Sequence, residues 1–241
     1  MFKLGGIYLI YCISDIHGKY TQYKALLEKV NFNDNDILFV LGDVLDREPN
    51  AIKVLQDMMS RLNVYPIIGN HEYMAMYCFK YLMKEITEES IEALDEEILL
   101  LIQDWFSNGG ETTYKEFVKL SPSKRQDILD YLEEFTLYEE IEVNGKSFVL
   151  CHGGIGNFNE TKPLEEYSLF DMAFNRPDYS KVYFSNKYLV TGHTPTPLVD
   201  ESCEGGKIYQ QNNHIAIDCG AVFGGQLGMI CLDTFETFYV K

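Results

Sequence analysis

Apolar residues run in short unbroken blocks, and each block stops at a polar, glycine-containing turn. Block 7–13 ends at Ser14-Asp15, block 37–41 at Gly42-Asp43 and block 64–68 at Gly69-Asn70. Blocks 147–151 and 188–191 repeat the form and end at His152-Gly153 and Gly192-His193. Continuous apolar runs of about four to eight residues fit strands buried on both faces. Between the first two blocks, Tyr23, Leu26, Leu27 and Val30 recur at helical spacing. Between the second and third, Ile52, Leu55, Met58, Met59 and Leu62 do the same. Strand, helix, strand, helix, strand predicts an α/β fold.

The middle of the chain changes pattern. Ile91, Leu94, Ile98, Leu101, Ile102 and Trp105 repeat at three and four, predicting an amphipathic helix that stops at Gly109-Gly110. A second helix is expected over 123–135. From 73 to 140, 16 acidic residues stand against 6 basic ones. This acidic stretch reads either as a helical insertion, or lid segment, or as the outer helical layer of the α/β fold. Segments 208–210, 214–218, 229–233 and 237–240 predict strands separated by glycine-rich turns, an antiparallel finish. No repeat or linker interrupts the chain, so 1–241 is expected to form a single domain.

Composition narrows the function. Hydrophobic residues make up 46% and charged residues 24% of 241, the proportions of an ordinary globular chain rather than a disordered, fibrous or coiled-coil one. The formal charge of −17 repels phosphate backbones and argues against a nucleic-acid partner. None of the six cysteines is spaced C-x-x-C, so they read as small buried hydrophobes in a reducing cytoplasm. No apolar run reaches the ~18 residues of a membrane span. Block 7–13 lacks a small-residue cleavage site and reads as a strand rather than a signal segment.

The strand ends carry the chemistry. Asp15-Ile16-His17-Gly18, Gly42-Asp43-Val44-Leu45-Asp46-Arg47, Gly69-Asn70-His71-Glu72, His152-Gly153-Gly154 and Gly192-His193-Thr194 each place metal-ligand types after an apolar block. In an α/β sheet the carboxyl ends of the strands form one rim, where ligands bind. Oxygen and imidazole donors without thiolate suit Mn²⁺, Fe or Zn²⁺ at a catalytic site. There are too many donors for one ion, and paired ions clamp a phosphate and generate a nucleophile.

The first three of these motifs resemble the three signatures of the PPP-type serine/threonine protein phosphatases, a branch of the calcineurin-like metallophosphoesterases. The two later histidine motifs match the remaining metal histidines of that family. The stretch from Ile217 to Leu227 resembles the close of its bacterial and phage-type members. The resemblance implies a calcineurin-like fold with central mixed β-sheets, a β-sandwich, flanked by helices. It also implies two divalent metal ions, Mn²⁺ foremost. Asp15, His17 and Asp43 would hold the first, and Asp43 would bridge to the second, completed by Asn70, His152 and His193. A metal-bridging water or hydroxide would attack phosphorus. His71, oriented by Asp46, would protonate the leaving oxygen, while Arg47, Asn70 and Arg176 would bind phosphate.

The chain departs from the family pattern at Ser14, where glycine is common, and at Glu48, where glycine usually follows the Asp-Arg pair. Glu48 would weaken anion binding, bend away, favour a substrate with positive character, or simply face solvent. Pro195 occupies the position of the extra metal histidine of the nuclease branch and cannot ligate. The expected substrate is a phosphorylated protein, with phosphoserine or phosphothreonine first. A symmetrical dinucleoside tetraphosphate or another small phosphorylated molecule is the alternative, with Tyr73, Tyr77 and Phe106 as stacking surfaces for a dinucleotide. A phosphate-binding scaffold without catalysis is the reading from another class, and the intact His71, Asp46 and ligand set argue against it. Arg61 and Arg125 read as solvated helix residues, and His214 as a surface or turn residue.

Overall fold

A computed structural model of the chain describes residues 8–83 and 96–241. Two five-stranded mixed sheets pack face to face and carry helices outside. The first sheet is built around β1 (Ile10–Ile13), β2 (Ile37–Leu41) and β3 (Val64–Ile67), which run parallel. α1 (Tyr20–Lys29) and α2 (Ala51–Met59) are their crossovers. β1 and β2 are buried on both faces, as their unbroken apolar runs require, whereas β3 leaves Tyr65 exposed. Ile10 and Cys12 of β1 face the inter-sheet cluster, with Phe39, Leu41 and Phe148. Tyr11 and Ile13 face the opposite way, into the cluster under the helices, with Leu26 and Leu55.

The acidic middle packs into that same outer cluster. Its helices are α3 (Asn70–Leu82), α4 (Glu96–Ser107), α5 (Gly110–Phe117) and α6 (Pro122–Glu133). Trp105, Phe117, Ile128 and Leu132 share the core with β1 and β2. Phe79 stacks on Phe117 with ring centroids 3.7 Å apart, and Trp105 meets Phe79 edge-on at 5.6 Å. Ile91 and Leu94, part of the expected helical stripe, lie outside the described residues, as does Ile7 of the first block. None of the helices among the described residues is long and apolar enough to cross a membrane.

The second sheet has the order β4 (Tyr138–Val143), β5 (Lys146–Cys151), β6 (Lys187–Thr191), β8 (His214–Ala216) and β7 (Tyr209–Gln211). A short helix, α7 (Leu169–Ala173), lies between β5 and β6 in the chain. β4 was not expected from the sequence. Its half-exposed Tyr-Glu-Glu-Ile-Glu-Val edge has no continuous apolar run, and only pairing with β5 reveals it. The expected antiparallel finish is present in both tail pairs, β7 with β8 and β9 (Leu227–Cys231) with β10 (Thr237–Val240), but the pairs belong to different sheets. β9 and β10 return to the first sheet, whereas β8 pairs parallel to β6 in the second. Turn chemistry predicts hairpins but not which sheet a strand joins.

His214 is not a surface residue. It is 1% exposed within β8, its ring is stacked on Tyr179 at 4.7 Å, and its Nε2 lies 2.9 Å from the Thr191 hydroxyl. Arg61 is held by Asp57 at 2.7 Å, and Arg125 donates to the Phe117 carbonyl at 3.2 Å, so neither is merely solvated.

The Phe79–Phe117 stack ties α5 to α3, and Phe117 is buried in the cluster that also holds β1 and β2 side chains. Phe117→Ala should therefore cost about 3–5 kcal/mol in urea unfolding. A loss below about 1 kcal/mol would show that the Phe117 ring is not part of the cooperative core.

Candidate active site

The carboxyl ends of β1, β2, β3, β5 and β6 meet at one cleft, and the backbone there is strained. Asp15, His17, Asp43, Asp46, Arg47 and His193 all have positive φ, between 43° and 71°. Each such non-glycine residue costs on the order of 1–2 kcal/mol. Hydrogen bonds between the loops hold them there. The amides of Asp15, His17 and Gly18 donate to the carbonyls of Gly42, Asp43 and Val44 at 3.1, 2.9 and 2.9 Å. Gly18 has no alternative at this crossing. Its φ is +73°, and a Cβ there would drive into the backbone carbonyls of Glu48 and Pro49.

Glu72 fastens the third loop to the second. Fully buried in the first turn of α3, it accepts four backbone N–H bonds. Those of Gly69 and Asp43 reach Oε2 at 3.0 and 2.7 Å, and those of Val44 and Leu45 reach Oε1 at 2.8 and 3.0 Å. Burial, with Asp43 beside it, pushes the Glu72 carboxyl up. The sequence offered it as one more site carboxylate. It is instead the clamp that sets where Asp43 stands.

The imidazoles are aimed by carbonyls. A carbonyl only accepts, so Nδ1 of His17 carries the proton it gives to Leu45 at 2.7 Å, and Nδ1 of His152 carries the one it gives to Leu41 at 2.6 Å. Both Nε2 atoms are thereby turned towards Asp43, 3.6 Å from His17 and 3.2 Å from His152. Asn70 Oδ1 lies 3.1 Å from His152 Nε2. The His193 amide donates to Asp15 at 3.0 Å, and Ser14 also donates to that carboxylate. Two donor groups result, with ligand atoms within 4.8 Å of one another. One is Asp43, His152 and His193, and the other is His17, Asp43 and His71. Asp15 stands at the edge of the second group, its Oδ1 4.0 Å from His17 Nε2.

The electrostatics call for cations. Burial alone would raise Asp43, yet His152, His71 and His17 hold it well below the usual carboxylate range. Burial raises Asp15, and Asp218 beside it adds to the effect. Asp218, buried in the same cleft, is itself pushed up to about 6 by burial. Burial would lower His152, but Asp43 overrides it and pushes the imidazole up to about 10. A proton is thus drawn into the place a divalent ion would take. His17 and His193 are lowered to about 3 by burial and stay neutral. Neutral imidazole Nε2 atoms converging on a shared buried carboxylate fit divalent metal ions.

His71 is oriented differently. Its Nδ1 sits 2.7 Å from Asp46, whose carboxylate also accepts from the indole of Trp105 at 2.8 Å and the hydroxyl of Thr113 at 2.7 Å. Burial lowers His71, but Asp43 and Asp46 outweigh it and leave its pKa raised. Its Nε2 lies 3.2 Å from Arg47 Nη2. The Arg47 amide donates to the carbonyl of Gly109 at 3.1 Å. The acidic middle therefore reaches the strand-end motifs through Trp105, Gly109 and Thr113. Arg176 is exposed and lines the same cleft.

Glu48 bends away to Lys19 at 3.4 Å and does not line the cleft, so it does not oppose Arg47 for an anion. The expected stacking aromatics are misplaced. Tyr73 and Tyr77 line a separate groove with Phe170 and Phe174, and Phe106 packs against Trp105 and Tyr114. The aromatic that does line the cleft is Phe223. Its signal in the sequence is an aromatic set just before the Gly224-Gly225 pair.

The chain belongs to the calcineurin-like phosphoesterase family, whose model matches residues 8–225. It is accordingly a hydrolase that acts on phosphoric ester bonds with divalent metal ions. A Bacillus mycoides protein named bis(5'-nucleosyl)-tetraphosphatase PrpE, asymmetrical, is 28% identical over 95% of this chain and 92% of its own length. A crystal structure described as a candidate diadenosine tetraphosphatase superposes with TM-score 0.67 at 17% identity, covering 96% of this chain and 92% of the other. A Saccharomyces cerevisiae protein serine/threonine phosphatase shares the fold with TM-score 0.51 at 13% identity, over 97% and 80%.

Glu72→Gln would turn an NH₂ group towards amides that now donate to a carboxylate. It should cost roughly 2–4 kcal/mol in urea unfolding while leaving the far-ultraviolet spectrum native. A cost below about 1 kcal/mol would show that the loops hold without the clamp.

Proposed function

We propose that the chain is a two-metal phosphohydrolase acting on dinucleoside tetraphosphates. The chemistry is carried by one observation, the convergence of His17, His152 and His193 on Asp43 in a cleft also lined by Arg47 and Arg176. The substrate is supported by the name of the Bacillus mycoides relative, which is matched over nearly its whole length. Asp15, His17 and Asp43 are proposed to hold one ion, and Asp43, Asn70, His152 and His193 the other, with Mn²⁺ the first choice of metal. A second reading, hydrolysis of phosphoserine or phosphothreonine on protein, is favoured by the ordered signatures from Asp15 to Gly18, Gly42 to Arg47 and Gly69 to Glu72. We read 1–241 as one domain. The free, buried cysteines suit a reducing cytoplasm.

The two ions would supply electrostatic activation of the water and of the phosphoryl group. Arg47, Arg176 and the Asn70 amide, which line the same cleft, hold the phosphate oxygens. His71 gives its proton to the oxygen that leaves, and Asp46 keeps the imidazole charged and aimed. Trp105 and Thr113 occupy the other acceptor positions of Asp46, so its charge is fixed rather than free to swing to the phosphate.

Purified protein with Mn²⁺ should hydrolyse diadenosine tetraphosphate faster than a phosphoserine peptide, and EDTA should abolish the activity. Separation of the nucleotide products distinguishes ATP with AMP from two ADP, the asymmetric from the symmetric cut. A faster rate on the phosphopeptide would transfer the assignment to the second reading. His71→Asn should retain metal and lose about 10²–10⁴-fold on an alkyl phosphate, whose leaving oxygen needs the proton, and less on the anhydride. Loss of metal from that variant would make His71 a ligand rather than the acid.

A further inference from the structure

Phe223 is 65% exposed, an apolar ring left in water beside the charges of the metal cleft. Arg47 lies over it, Cζ 5.0 Å from the ring centroid, which covers one face and leaves the other open. The ring is fixed there. It ends the turn Ala221–Phe223, bracketed by Gly220 and Gly224 at φ of 69° and 87°. The amides of Phe223 and Gly225 both donate to the Gly220 carbonyl at 2.9 Å. The Gly220 amide in turn donates to Asp218 at 2.9 Å, so a buried carboxylate of the cleft anchors the turn that carries the ring.

The cleft holds about 570 Å³, far more than one phosphate group fills. Leu198, 76% exposed, and Pro197 line it as well. Apolar surface of this kind, continuous with a phosphate-binding guanidinium, matches a molecule with a flat ring at one end and a phosphate chain at the other. Burial of the ring face is favourable only when such a partner covers it.

We propose that Phe223, with Leu198 and Pro197, forms the subsite for the purine ring of a nucleotide, stacked on the open face of Phe223. The phosphate chain then runs over Arg47 to the donor groups around Asp43. This assignment rests on the dinucleoside tetraphosphate reading and gives it a specificity-determining residue. Phe223 touches the base and not the reacting phosphorus, so it governs binding rather than the chemical step.

The test compares the wild type, Phe223→Ala and Phe223→Trp with Mn²⁺. It measures kcat and KM for diadenosine tetraphosphate and the inhibition constant of inorganic tripolyphosphate, which has no base. Phe223→Ala should raise KM about tenfold with kcat within about twofold, and Phe223→Trp should restore KM. The tripolyphosphate constant should move much less, so the preference for the nucleotide collapses. An unchanged KM in Phe223→Ala would overturn the subsite and leave the substrate reading intact. An equal loss for tripolyphosphate would also overturn it, because Phe223 would then act by positioning Arg47. Absence of diadenosine tetraphosphate hydrolysis by the wild type would overturn the substrate reading, and the subsite with it.

Discussion

A buried carboxylate must be matched by positive charge or protonated, and in this protein Asp43 is the carboxylate on which the matching converges. It lies within 3.2 to 3.8 Å of Nε2 of His152, His17 and His71. Those three imidazoles come from three different strand ends, so the demand of one side chain explains why the ends meet. The same demand separates the roles of the histidines. His17 and His152 are pinned through Nδ1 by backbone carbonyls, the arrangement of metal ligands. His71 is pinned by a carboxylate that stabilises its charged form, the arrangement of an acid.

Holding Asp43 in place has a conformational cost. Six non-glycine residues of the site adopt left-handed backbone angles, and nothing local favours this. The opposing term is long-range hydrogen bonding. Glu72 joins the β3 loop to the β2 loop, and amides of the β1 loop join it to β2. The strained positions therefore belong to the two-sheet fold and would relax without it. Trp105 and Thr113 extend the arrangement outwards, since the acidic helices supply two of the donors that fix Asp46. Part of the −17 charge therefore lies in a cleft whose donors fit divalent cations, and a larger part in the helical layer that supports it.

Much of this was legible in the sequence, for identifiable reasons. β1, β2, β3, β5 and β6 announce themselves because they are continuous apolar runs without polar alternation, and their ends carry the motifs. The structure brings Asp15, His17, Asp43, Asn70, His71, His152 and His193 to one rim, as the strand-end argument required. What failed to read out depends on tertiary pairing. β4 is an edge strand with half-exposed glutamates. The tail strands divide between two sheets that share similar turns. His214 looked like a turn residue because nothing in the sequence shows Tyr179 and Thr191 enclosing it. The stacking aromatics were sought next to the GNHE motif, where α3 carries them to another groove. Phe223, more than 150 residues later in the chain, reaches the cleft only because the turn after β8 folds back over it.

The two-metal reading requires Asp43 to be shared by two metal positions rather than to serve one. Equilibrium dialysis of metal-free protein against Mn²⁺, read by elemental analysis, tests it directly. The wild type should bind two Mn²⁺ per chain. Saturation at a single ion per chain, with full activity, would contradict it.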